Sequence, residues 1–149
     1  MILYEIFDST VKYQWEAAGM GFWGGRFYVD SVEYNIAIES MDSEKGIWDV
    51  EFARIDRSQD NVDVDHNNQV QNHITGTGNS HTVFSTIIQM IQEFVSEESP
   101  YQIQFSSAES TRTSLYKKIS STIGRKMGYN TSVSKNAESK DLFILTKTE

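Results

Sequence analysis

Between Thr82 and Glu97, the apolar residues Val83, Phe84, Ile87, Ile88, Ile91, Phe94 and Val95 recur at helical spacing. Turned at about 100° per residue, all seven fall within an arc of roughly 140°, with Ser85, Gln89, Gln92 and Ser96 opposite. A helix divided this cleanly has one face to bury. The rest of the chain predicts what it lies on, because period-two runs flank it. "SVEYNIAIES" sets Val32, Tyr34, Ile36 and Ile38 against Glu33, Asn35 and Glu39. After the turn chemistry of "MDSEKG", "IWDVEFARI" sets Trp48, Val50 and Phe52 against Asp49, Glu51 and Arg54. These two runs read as an antiparallel hairpin of half-buried strands.

Upstream, "ILYEIF" is a short apolar run. "VKYQWEA" alternates Val11, Tyr13 and Trp15, with a short helix as its alternative. "GMGFWGGRF" reads as a glycine-rich loop or bend around Phe22 and Trp23. Downstream, Pro100 ends a connection, and "YQIQFSSA" puts Tyr101, Ile103 and Phe105 on one face of a strand. A second helix is expected over about Glu109 to Met127, with Leu115, Tyr116, Ile119, Ile123 and Met127 on its apolar side. Gly128 suits a left-handed cap after it. "YNTSVS" and "DLFILTK" read as two closing strands. The expected fold class is α+β: one domain over residues 1–149, with two main helices packed on a mixed, mostly antiparallel sheet.

Composition removes several functions. The chain has 149 residues and no cysteine, so disulfides and thiolate metal sites are excluded. The polar stretch from Asp56 to Asn72 contains Asp63, Asp65 and His66, but a calcium loop starting at Asp63 needs Gly at 68 and Glu at 74, where Asn68 and Ile74 stand. His66, His73 and His81 lack the i,i+4 helical pairing of a zinc site, so no metal is expected. No apolar run approaches the roughly 20 residues of a membrane span. "MILYEIFDST" has neither a basic n-region nor a small-residue cleavage site, which predicts a cytoplasmic protein.

The net charge is −8, unevenly spread. From Ser110 to Ala137 there is no acid, but there are Arg112, Lys117, Lys118, Arg125, Lys126 and Lys135. Without these six, 7 of the 13 basic residues remain against 21 acids, a balance of −14. An acidic chain with one basic segment is a poor nucleic-acid binder, since phosphate backbones need a broad positive field. It can hold one compact anion or dock an acidic surface at residues 112–126, or the basic residues can form a solvated helix face.

Strand, hairpin, a short fourth strand at about Gln69–Thr75, helix, strand, helix, strand, strand: this order resembles the core of the GNAT acyltransferase superfamily over roughly Val32 to Thr146. "HITGTG" aligns Gly76 and Gly78 with the family's Arg/Gln-x-x-Gly-x-Gly/Ala signature, with His73 in the Arg/Gln position and "NSHT" standing before the apolar helix. In physical terms, amides at a helix N-terminus lack internal partners, the helix dipole favours anions, and glycine admits a close ligand. The other reading is a plain turn whose Ser80 or Thr82 caps the helix. The resemblance implies that Gly76, Thr77, Gly78, Asn79 and Ser80, together with Arg112, hold the pyrophosphate of acetyl-coenzyme A. "SLYKK" resembles the family's Leu-Tyr. By that likeness Tyr116 is the general acid toward the leaving thiolate; by its place on the apolar stripe it is a core residue. Glu51 is the best-placed general base by analogy. The chain also resembles the small proteins that phages encode, which implies a host cytoplasm. The expected function is N-acyl transfer from acyl-coenzyme A. Its rival is a catalytically inactive relative that binds an acidic host-protein surface through the basic helix.

Overall fold

The computed structural model describes residues 10–55, 80–106, 113–135 and 141–148. These residues build one seven-stranded sheet from β1 (Tyr13–Gly19), β2 (Phe22–Val29), β3 (Val32–Asp42), β4 (Ile47–Ile55), β5 (Gln102–Ser106), β6 (Tyr129–Lys135) and β7 (Asp141–Lys147). The strand order is β1-β2-β3-β4-β5-β7-β6, and only the β4–β5 pair is parallel. Helix α1 (Ser80–Glu98) connects β4 to β5, and α2 (Thr113–Met127) follows β5. This is the α+β class expected. Among the described residues, neither helix is long and apolar enough to cross a membrane.

The first four strands form an antiparallel meander because their turns suit it. Asp30 and Ser31 both take left-handed φ, 51° and 68°, which gives the two-residue hairpin a twist matching the strands on either side. Gly19, Met20 and Gly21 turn the chain between β1 and β2 at φ of 130°, 58° and 87°. The glycine-rich stretch expected to be a loop is therefore a turn followed directly by strand. Gly24 and Gly25 serve crowding here, not bending. A Cβ on Gly25 would lie 2.8 Å from Met90 Cε and 2.9 Å from both Gln14 O and Trp15 Cε3, so β1, β2 and α1 close over the bare backbone.

Both helices cover the same face of the sheet. Phe94 of α1 is fully buried, edge to face with Trp23 at 5.6 Å and with Trp48 at 4.9 Å. Tyr116 of α2 meets Phe52, two turns of the β4 pleat from Trp48, at 5.2 Å. Each such aromatic pair contributes about 0.5–1.5 kcal/mol beyond its buried area. Val83, Ile87, Ile88, Ile91 and Val95 complete the α1 stripe, and Leu115, Ile119 and Ile123 complete that of α2. Gly128, at φ 77°, caps α2 with its N–H on Gly124 O at 3.0 Å, as expected.

Two further expectations change. Arg54 does not share a face with Asp49 and Glu51: its cross-strand partner is Tyr34, so it points to the helix side with Phe52. Glu33 is not on a solvated face but buried, with Arg26 Nη1 at 4.0 Å. The run "ILYEIF", the short strand at Gln69–Thr75 and the start of the second helix at 109–112 lie outside the described residues.

Candidate functional site

The parallel β4–β5 pair registers only at Ile47–Gln102, Trp48–Ile103, Asp49–Gln104 and Val50–Phe105. β5 ends one residue later, at Ser106, while β4 continues to Ile55, paired with β3. Among the described residues, β4 beyond Val50 has no strand partner on its β5 side, and this stretch is the slot. At the opposite end the pair is pinned, since Gly46 O accepts N–H bonds from both Tyr101 (3.0 Å) and Gln102 (3.1 Å).

The slot end is also where both helices begin. The C-terminal part of α1 lies over the start of β4, where Phe94 meets Trp48, so its first turn points toward the strand ends. The first turns of α2 carry Tyr116 onto Phe52 and Phe105, with ring centroids at 5.2 Å and 6.0 Å. The first turns of α2 thus lie by the carboxyl end of β5, and amides in a helix's first turn have no partner within the helix itself.

The expected site residues divide accordingly. Tyr116 lies at the slot but is fully buried, its ring held by Phe52 and Phe105. Glu51 is on the part of β4 beyond Val50, exposed, opposite Ala37 and on the other face of the sheet from Tyr116. Ser80 is the first residue of α1. Gly76, Thr77, Gly78, Asn79 and Arg112 lie outside the described residues. Lys117 and Lys118 are exposed as expected, and Lys118 Nζ stands 4.7 Å from the Phe84 ring centroid.

Arg54 is the residue that sequence reasoning missed. It is half-buried on the helix side of β4, two residues past Phe52. Its cross-strand partner Tyr34 has its phenol pushed up to about 12. Burial is the main cause; the Arg54 charge opposes it and Asp30 adds to it. Strict period-two counting from Trp48 assigns Arg54 to the inner face; grouping it with the polar residues hid that. No family model, curated protein or solved structure significantly matches the chain.

Proposed function

We propose that the protein is a GNAT-like transferase that moves an acyl group from coenzyme A to an amine, with the coenzyme lying in the slot between β4 and β5. The observation that carries this reading is the parallel pair that stops after four registered residues while β4 runs on to Ile55. The coenzyme's pantetheine arm is extended and carries amides, so it suits a strand edge. Its pyrophosphate suits the helix N-termini, the Gly76–Ser80 segment ahead of α1 above all, with Arg54 and Arg112 as countercharges. The amine nitrogen attacks the thioester carbonyl and gives its proton to Glu51. The carbon–sulfur bond breaks, and the departing thiolate takes the proton of Tyr116. In this reading the ligand passes between the ends of β4 and β5 and meets groups from both faces of the sheet.

Thermal unfolding with coenzyme A and with desulfo-coenzyme A tests the binding half. At 100 times the dissociation constant, either should add about 2.7 kcal/mol of stability. Gly78→Val should abolish the shift, and no shift at millimolar coenzyme A sinks the reading. Tyr116→Phe keeps the ring packing and removes the proton, so turnover should fall on the order of 100-fold with binding unchanged.

The second reading is a binding protein on the same scaffold that carries out no transfer. The complete burial of Tyr116 between Phe52 and Phe105 favours it, since that is how a core tyrosine packs. Turnover unchanged in Tyr116→Phe would return the residue to that structural role.

A further inference from the structure

Among the described residues the two ends of the sheet are strands β1 and β6, and a strand at an end presents backbone groups to anything that can pair with them. Proteins protect such edges with bulges, prolines, inward charges or short strands. β6 has little of this. It pairs with β7 in unbroken register over seven residues, from Tyr129–Lys147 to Lys135–Asp141, with no bulge. It contains no proline, and its only charge, Lys135, is held by Asp141 at 2.6 Å. Asn130 through Lys135 are all exposed, and Val133 shows 58% of its surface to solvent. Among the described residues, β7 is the only strand paired with it.

A groove runs beside this strand. Ser121, Gly124 and Arg125 of α2 face Tyr129, Asn130 and Thr131 of β6 across about 490 Å³. Gly124 keeps the floor low, since a Cβ there would lie 2.9 Å from Tyr129 O and from Thr131 Cγ2. Among the described residues no acid lines the groove, and α2 as a whole carries Lys117, Lys118, Arg125 and Lys126 with no acidic residue.

We propose that β6 is a docking strand: it takes an extended acidic segment of a partner protein as an eighth strand, whose carboxylates meet Arg125 across the groove. Backbone pairing supplies the attachment, and side chains facing the groove supply the choice of partner. Charge selects this occupant over a second copy of the chain. Antiparallel pairing of two β6 strands keeps both molecules' helices on one side and lays two purely basic α2 helices next to each other, a like-charge contact that disfavours it.

The test is selection of binders from a random twelve-residue peptide library, at low salt, against the whole protein. The selected peptides should be rich in Asp, Glu and β-branched residues, and their binding should shift the NMR signals of residues 121–135. N-methylation of one peptide's alternate amides should cost at least about tenfold in affinity in one register and little in the other, because an added strand bonds along one edge only. Arg125→Glu, an exposed change that leaves the fold intact, should reverse the charge preference. Selection of neutral or basic peptides, equal tolerance of both N-methylation registers, or shifts away from β6 would each overturn the proposal. So would a concentration-dependent dimer with β6 protected in the absence of peptide.

Discussion

Among the described residues, one edge of the sheet is fastened along its length and the other only at its ends. At β1, the ladder to β2 is broken by a bulge between Trp15 and Ala17, and the strand is tied to α1 by side chains. Val11 N–H donates to Thr86 Oγ1 at 3.1 Å, the Tyr13 hydroxyl donates to Glu93 Oε1 at 2.6 Å, and Trp15 stacks edge to face on Trp23 at 5.0 Å. Glu16 adds a charge, paired with Arg26 at 3.1 Å. At β6, among the described residues, the ties are at the two ends: the buried hydroxyl of Tyr129 donates to Pro100 O at 2.5 Å, and Lys135 pairs with Asp141 at 2.6 Å. The difference is one of side-chain chemistry. Both strands have the same hydrogen-bonding backbone, but β1 sets two aromatic residues along its length against its neighbours, whereas β6 has one, at its first position.

The largest expected effect comes from prying the fastened edge open. Gly25→Val forces a side chain against the backbone oxygen of Gln14 as well as against Trp15 and Met90, and only the last two can yield. Urea denaturation should show a loss of about 3 kcal/mol, with amide exchange in β1 accelerated more than in β6. Gly24→Ala is the control: its Cβ meets the ring of the exposed Phe22, which can swing away, so it should cost under about 1 kcal/mol. Equal losses in the two variants would mean that β1 is not held where described.

Next comes Tyr129→Phe, which frees the β6 edge from one of its two ties and leaves the buried Pro100 carbonyl without that donor. It should cost about 1–2 kcal/mol. The same phenol is held above its ordinary value by burial, as is that of Tyr13, where the bond to Glu93 adds to the effect of burial, and that of Tyr34. A group that resists ionisation in the folded state contributes fully below its unfolded value and stops contributing as pH climbs through its folded one. Denaturation midpoints should therefore hold up to pH 10 and fall above it, for Tyr34 between 10 and about 12. Absorbance at 295 nm would show these phenolates appearing only as the protein unfolds. A midpoint that stays flat across that window would contradict their burial.

The smallest effect is expected at the far end of β6. Lys135→Ala removes an exposed ion pair with Asp141 and should change stability by less than about 1 kcal/mol. It also removes the strand's only charge, so its use is in sharpening the contrast: self-association should rise with concentration in sedimentation while the folded stability barely moves.

What could be read from the residues was whatever repeats locally. The α1 stripe, the β3–β4 hairpin, the α2 stripe and the Gly128 cap all depend on spacing within a few residues, and all are present. Gly24 and Gly25 were misread because glycine marks both turns and close packing, and only the neighbours, Phe22 for one and Met90, Trp15 and Gln14 for the other, decide between these. Arg54 is polar by type but stands at an inner-face position by period two, and Tyr34 opposite it fixes that face. The slot itself was not legible, because Val50 and Phe105 come from distant parts of the chain and no periodicity relates them. Of the expected site, Tyr116 reaches the slot, Glu51 flanks it from the other face, and Ser80 opens α1.

Among the described residues, the β4–β5 contact, with its Gly46 end, is where the N-terminal meander and the β5-β7-β6 group share backbone bonds. Hairpins in either group close short loops and form quickly, whereas the parallel pair must wait until the chain between β4 and β5, including α1, has been brought round. The seam is thus the natural last step of folding and the first to part on unfolding. Whatever occupies it would act as a rivet, lengthening the lifetime of the native state by more than it hastens its formation.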